Sequence, residues 1–374
     1  MENPQDTPDG LEAQTGGRLM TQTTTSRRRN PARTIGLDVS DRYTTVCVVD
    51  ADGSVVERTR IGTTRDALQR RFGDLPRQRI VLETGTHSPW MARALAAWGH
   101  EPIVANARRL QLISANATKR DVVDAETLAR LGRVDPQLLA PITHRTEQTQ
   151  GHLALLRARD GLVRSRTQLI NHVRGAVKSV GGRVPNVSAA SFARQAVTAL
   201  PALVAPVLAP MLDQIHRLTQ QIRRYDGDLA RLAATTYPAT RQLRQPAGVG
   251  PLTALAYVLV LEDPTRFANG RCVGAYLGLA PGRDQSGQSD PQQHITKRGD
   301  ALLRRLLVGS AHYILGPFGP DCDLRRWGLA LAARGGRNAK KRAVVAVARK
   351  LAGLLHQLWR TGATYAPLHR AAQA

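Results

Sequence analysis

Thr34-Ile-Gly-Leu-Asp-Val39 opens the part of the chain that decides the fold. Two more apolar-rich runs follow it closely, 43–49 (Tyr-Thr-Thr-Val-Cys-Val-Val) and 54–61, with Asp52-Gly53 between them. An Asp-Gly pair between apolar runs is a strong hairpin signal, because its residues accept the backbone that a tight turn demands. The pattern predicts a three-stranded meander. Working outward, the periodicity then alternates. A helical stretch over 65–72 is followed by a strand at 79–82, a helix at 89–98, a strand at 102–105 and a helix at 121–131. A meander followed by alternating helix and strand is the element order of an α/β domain of the RNase H-like type, expected over 33–143. Upstream, residues 1–32 are polar and end in Arg27, Arg28 and Arg29, which predicts a disordered basic tail.

Four carboxylates fall at informative places in this frame. Asp38 lies between Leu37 and Val39, and an inward carboxylate among apolar neighbours costs several kcal/mol unless paired or metal-bound. Glu83 directly follows Ile80-Val-Leu82 and precedes Thr84-Gly85. Asp121 and Asp124 are three apart and therefore share a helix face. Two strand-end carboxylates and two on a late helix can converge at one edge of such a sheet. Hard oxygen ligands suit Mg²⁺, and paired ions about 3.5–4 Å apart can activate a nucleophile and stabilise a leaving oxygen. Singly, each has a plainer reading: a turn aspartate, a cap, or an acidic first turn favoured by the helix dipole. Asp41 and Glu126 compete as ligands but rank lower, Asp41 because it falls in the exposed turn and Glu126 because it faces away from the aspartate pair.

Residues 144–236 have a different rhythm. Leu208, Met211, Ile215, Leu218, Ile222, Tyr225, Leu229 and Leu232 recur at alternating spacings of three and four, a coiled-coil seam. Leu156, Val163, Ile170 and Val177 recur every seven upstream, and Gly181-Gly182 and Pro185 break the helix between the two seams. Two long helices are expected, with a seam regular enough to draw in a second copy of the chain; two helices of a globular bundle are the alternative.

The segment 237–374 is expected to form a mostly helical domain. Its Gln245-Pro-Ala-Gly-Val-Gly-Pro-Leu-Thr-Ala254 has the helix-hairpin-helix pattern, in which Gly248 and Gly250 permit a tight turn and the next helix offers free N–H groups to a phosphate. A simple helix–helix turn is the rival. Further on, Gly278 to Gln288 form a loop of small and polar residues containing Ser286, followed by Lys297, Arg298, Arg304 and Arg305, which suit phosphate contact.

Composition narrows the partners. The 53 basic residues against 29 acidic ones leave a formal charge of +24, which favours a polyanion. No apolar run approaches the length of a membrane span and no secretory leader is evident, so a cytoplasmic protein is expected. Three widely spaced cysteines fit neither a disulfide framework nor a zinc site.

Thr34-Ile-Gly-Leu-Asp-Val-Ser40, Leu82-Glu-Thr-Gly85 and Lys119-Arg-Asp-Val-Val-Asp-Ala125 resemble the DEDD motifs of a family of insertion-sequence transposases. These recombinases join a RuvC-like domain to a separate transposase domain and are guided by a bridge RNA. The resemblance runs over almost the whole chain from about residue 33. It implies metal binding by Asp38, Glu83, Asp121 and Asp124, a catalytic serine that carries over to Ser286, and a phosphoserine–DNA intermediate. It also implies Mg²⁺ as cofactor, a dimer or tetramer with composite sites, a guide RNA from the element, and association with the nucleoid when on DNA. Two positions depart from the pattern. Val123 stands where a polar or basic residue is expected, and Gln285 replaces a second serine, which leaves Ser289 as the alternative nucleophile. A Holliday-junction resolvase needs only the carboxylates and leaves the serine loop, the glycine hairpin and the long helices unused. A non-catalytic nucleic-acid-binding protein would tolerate Asn or Gln at all four acidic positions.

Overall fold

The computed structural model describes residues 33–106, 121–282 and 293–369, together with 285–287, 289 and 291; the side chains of 121 and 122 are not among those described. The basic tail and Lys119 and Arg120 of the third motif lie outside the described residues. Two compact units divide the chain, Met1–His144 and Arg145–Ala374.

The first unit is built on a mixed five-stranded sheet. Its strands are β1 (Arg33–Val39), β2 (Tyr43–Asp50), β3 (Val55–Gly62), β4 (Arg79–Glu83) and β5 (Glu101–Ala105), in the spatial order β3-β2-β1-β4-β5. The meander pairs antiparallel, with Asp38 opposite Thr45, while β1, β4 and β5 run parallel. The apolar character of β1, β2 and β4 follows from cover on both faces. Ile35, Leu37, Val46, Val48, Ile80 and Leu82 pack on one side with helices α1 (Arg65–Phe72) and α2 (Ser88–Ala97). Cys47, Val49 and Val81 face the other side, where helix α3 (Asp121–Val134) supplies Ala125, Leu128 and Ala129.

Helix α3 approaches the sheet unusually closely. A methyl group at Gly36 would overlap the Ala125 carbonyl, and one at Gly132 would overlap the Val81 side chain. Gly36→Ala is therefore expected to force helix and sheet apart and to cost about 3 kcal/mol, read as a lowered urea midpoint. Unchanged stability would mean that the helix can retreat freely.

The second unit is helical. Helices α4 (Glu147–Ser179) and α6 (Ala205–Thr235) run antiparallel, with Arg159 paired to Asp226 and Arg166 donating to Thr219. Leu208, Ile215, Leu218, Ile222 and Leu229 are buried within the single chain. Within the single chain the seam is covered by α4, the globular-bundle alternative that the sequence also offered. At the outer end of this hairpin, Phe192 and Ala196 of the short helix α5 (Phe192–Ala196) close a small core with Val173, Val177 and Leu212.

The inner end joins the main core. Here α8 (Pro251–Leu261), preceded by the short α7 (Ala239–Leu243), is buried on every side from Thr253 to Leu261. A helix that is apolar all round belongs inside. Around it lie α9 (Gly270–Tyr276), α10 (Ala301–Leu315), α11 (Asp323–Ala333) and α12 (Ala339–Thr361). Among the described residues no helix is long and apolar enough to cross a membrane.

Glu262 ends α8 with φ 65° and ψ −47°, and the Asp263 N–H closes a γ-turn onto the Leu261 carbonyl at 2.8 Å. Its carboxylate accepts from the backbone and hydroxyl of Thr146, both at 2.9 Å. Arg145 caps α8 by donating to the Leu259 and Val260 carbonyls. Burial pushes the Glu262 carboxyl up, but the hydrogen bonds from Thr146 and Thr149 and the nearby Arg145 outweigh it, so its pKa lies below the ordinary value. A depressed carboxylate adds stability that is complete above the ordinary carboxylate range and is lost as pH falls through the folded-state pKa. Glu262→Gln is expected to lower stability by about 1 kcal/mol at neutral pH, with the gap to the parent closing in acid. A gap that stays constant with pH would assign the loss to geometry alone.

Candidate functional site

The carboxylate site is assembled by strand register and helix direction. Gly36 pairs with Val81 and Leu37 with Leu82 in the parallel β1–β4 ladder, so Asp38 and Glu83 are next in line, side by side at the ends of their strands. Both alternate onto the face of Gly36 and Val81, which α3 covers. The direction of α3 follows from its contacts. Ala125 lies over Gly36, Gly132 lies by Val81 and Thr34, and Arg130 and Arg133 donate to carbonyls of the turn at Gly53 and Ala51. The helix therefore runs against β1, and its first turn, carrying Asp121 and Asp124, lies toward the end occupied by Asp38.

Asp124 is only 7% exposed, and among the described residues its carboxylate has neither a hydrogen-bond partner nor an ion-pair partner. Neither of its oxygens is among the fully buried, unpartnered polar atoms of the described residues, so the residue is buried while its carboxylate edge still reaches solvent. Asp38 and Glu83 are half-buried. The side chain of Asp121 is outside the described residues. Among the described residues no three His, Cys, Asp or Glu side chains are gathered closely enough to hold a metal ion. The donor set nevertheless fits a hard divalent cation: oxygen donors only, from strand ends and a helix turn on one face, one of them on a buried residue with no partner among the described residues.

The two competing carboxylates are differently placed. The Asp41 side chain is 95% exposed, 3.4 Å from His87 Nε2. Glu126 accepts from Arg58 at 2.6 Å and from Arg130 at 2.8 Å. The Arg58 hydrogen bond first, then that of Arg130, holds its carboxyl below the ordinary range. Glu126 is thus committed to a surface ion pair.

In the second unit Ser286 is borne on a ribbon. The Gly282 N–H donates to the His294 carbonyl, that of Thr296 to Ala280, and Pro281 bridges Ile295. At the tip, Ser286 and Ser289 exchange backbone hydrogen bonds of 3.1 and 2.9 Å around Gly287, and both serines are exposed. Two glycines of positive φ pinch the base. A side chain at Gly278 would overlap the backbone of Arg298, and one at Gly299 would overlap Tyr276. That glycine pair was the available signal for a ribbon where the sequence suggested only a loop.

The basic residues around it have distinct duties. Arg304 donates to the carbonyls of Leu277 at 2.9 Å and Arg298 at 3.0 Å, which ties down the ribbon base. Arg305 pairs with Asp160. Lys297, at φ 53°, and Arg298 keep exposed side chains. Of the glycine-hairpin pair, Gly248 packs against the Ser310 carbonyl and the Tyr313 ring with φ 85°, whereas nothing lies within 4 Å of a side chain built at Gly250. The fold demands glycine at the first position and leaves open space at the second.

Carboxylates at the end of a sheet in one unit and an exposed ribbon serine in a basic helical unit suit an enzyme that handles phosphodiesters, and comparison with known proteins makes the class explicit: this is a transposase. Residues 35–181 match the DEDD model of the IS110 elements, described as a transposase, and residues 240–318 match the model of the IS116/IS110/IS902 transposase family. Together the matches take in well over half of the chain, which belongs to that family. Relatives agree along their lengths. A probable family 20 transposase of Pseudomonas aeruginosa is 28% identical over 89% of this chain and 98% of its own. The transposase of insertion sequence IS1111A of Coxiella burnetii is 27% identical over 91% and 93%, and that of IS1328 of Yersinia enterocolitica is 28% identical over 74% and 82%. A transposase of an insertion element acts on DNA, which it cuts and rejoins.

Proposed function

We propose that the chain moves its element as a Mg²⁺-dependent serine recombinase, with Asp38, Glu83, Asp121 and Asp124 holding the metal and Ser286 as nucleophile. The observation that carries this reading is Asp124, a buried residue with no hydrogen-bond or ion-pair partner among the described residues, on the face shared by Asp38 and Glu83. The strand order β3-β2-β1-β4-β5, with an antiparallel meander and two parallel strands, supports an RNase H-like domain of the RuvC type. When bound, Mg²⁺ supplies charge neutralisation at the phosphate and a lowered barrier to deprotonating the attacking hydroxyl.

The chain's own groups do the rest. Ser286 Oγ bonds to phosphorus as the bond to the departing deoxyribose oxygen breaks, and the serine proton passes to that oxygen. The new phosphoserine ester keeps the phosphodiester energy, so attack by a deoxyribose hydroxyl rejoins DNA and releases the serine. Lys297 and Arg298 stabilise charge on the phosphoryl group, while Arg304 positions the ribbon from below. Gly250 leaves room for a backbone phosphate at the start of α8, in the manner of a helix-hairpin-helix. Sites assembled from two protomers, in a dimer or tetramer, follow from the family resemblance. So do a guide RNA made by the element and a cytoplasmic life spent partly on the nucleoid.

RNA guidance is tested by DNA binding in the presence and absence of transcripts from the sequence flanking the reading frame. Sequence-specific binding is expected only with the element's own RNA, and non-specific binding should fall steeply with salt, about −0.9 in log–log slope per duplex phosphate contacted. Sequence-specific binding by RNA-free protein would replace guidance with direct readout.

A further inference from the structure

A second feature lies beside the serine ribbon. A cleft of about 960 Å³ opens between the ribbon, the end of α11 and the start of α12. One wall is the ribbon itself, through Leu279, Pro281 and His294. Five cationic side chains line the remainder, Arg334, Arg337, Lys341, Arg342 and Arg349, with no Asp or Glu among the described lining residues. All five are exposed, and none enters an ion pair among the described residues. Elsewhere in the unit Arg159, Arg305 and Arg326 each have an acidic partner. Arg349 is held in place by its aliphatic stem, which lies against Gly274 of α9. Between the charges the lining is apolar, with Trp327 and Leu331 beside Val345 and Ala346. The Lys350 ammonium sits 4.1 Å from the centre of the Trp327 ring, which fixes the indole on one side.

We infer that this cleft is the channel for the single DNA strand that leads to the phosphate attacked by Ser286. The inference rests on the recombinase reading for its direction, and on the cleft alone for its chemistry. Concentrated like charge with no acidic partner among the described residues is costly to assemble, and a polyanion relieves it. A row of cations along an apolar, aromatic-containing wall suits a single strand, whose phosphates meet the cations while its bases lie on the apolar side. A duplex presents its bases inward and would leave that wall unused. The location selects DNA. Ser286 is five residues beyond Pro281, so extended backbone can carry it no more than about 17 Å from the wall. The strand joined to the attacked phosphate must therefore pass close to the cleft. The dipole of α12, positive at the end that lines the cleft, adds to the same attraction.

The test uses the full chain and a labelled single-stranded DNA in fluorescence anisotropy, without Mg²⁺ so that cleavage plays no part. Lys341→Glu with Arg342→Glu should weaken binding at least about 10-fold and reduce the salt slope by about 1.4, near 0.7 for each lost contact on a single strand. Both side chains are exposed, so the melting temperature should hold. The control is Arg223→Glu with Arg224→Glu, the same charge change on exposed positions of α6, which should alter binding much less. A strand carrying a photoreactive thymine analogue should crosslink within residues 327–349. Equal losses for the cleft and control pairs, or unchanged binding for the cleft pair, would overturn the proposal. So would cleft-dependent binding of single-stranded RNA with DNA unaffected, which would assign the channel to RNA. Cleft-dependent DNA binding by a chain that never forms a serine adduct would keep the channel and remove the recombinase reading. An intact adduct with cleft-independent binding would do the reverse.

Discussion

Ser286→Ala should abolish the denaturation-resistant protein–DNA adduct that the parent chain forms in Mg²⁺, with strand cleavage falling on the order of 10³-fold or more. A serine hydroxyl is a weak nucleophile at neutral pH and has to be activated, so little rejoining should survive without it. Ser286 is exposed at the tip of a ribbon whose base is pinned by Gly278 and Gly299, and the substitution removes only an oxygen in solvent. Folding and DNA affinity should therefore be unchanged. The assay is a labelled DNA run on a denaturing gel, with peptide mapping of the retained species. An adduct at Ser289 would move the nucleophile three residues along the same ribbon and keep the mechanism. Efficient cleavage with no adduct at any time, and full activity in Ser286→Ala, would favour a water-using nuclease of the resolvase kind.

Asp38→Asn, Glu83→Gln and Asp124→Asn should each remove Mg²⁺-dependent cleavage while leaving the sheet intact. The opposite responses of activity and stability are the diagnostic. Asp124 has no hydrogen-bond or ion-pair partner among the described residues and lies on the face shared by Asp38 and Glu83, so in metal-free protein its neutralisation breaks no bond and relieves like-charge repulsion, and stability should hold or rise. In parent protein, added Mg²⁺ should raise the melting temperature by mass action, and in Asp124→Asn that rise should shrink or vanish. A stability loss in metal-free Asp124→Asn would show that the carboxylate is a structural group. Cleavage surviving Asp38→Asn or Glu83→Gln would place the metal elsewhere.

Much of the first unit was legible in the order of residues. The meander, the two parallel strands and the helix from Asp121 all form, because alternating apolar residues and an Asp-Gly turn are local instructions that no distant contact has to supply. Strand-end positions for Asp38 and Glu83 followed from the same alternation. Their common face needed the β1–β4 register as well, and the direction of α3 needed its packing onto Gly36. The plainness of Gly36 in the sequence concealed a very close helix–sheet approach.

In the second unit, periodicity found both long helices and the apolar seam. It did not find the seam's partner. A heptad pattern states which side of a helix must be covered, and within this chain α4 covers it. Charge behaves likewise. Arg304 and Arg305 are as basic in the sequence as Lys341 and Arg342, yet backbone carbonyls and Asp160 occupy the first two while the second two line an open cleft. The sequence by itself determined elements, their apolar faces and the motifs of a transposase, since these depend on neighbours within a few residues. Only the tertiary structure decided which cations remain available to a nucleic acid, which acidic residue is buried with no partner among the described residues and what covers each apolar face, because each depends on groups brought together from distant parts of the chain.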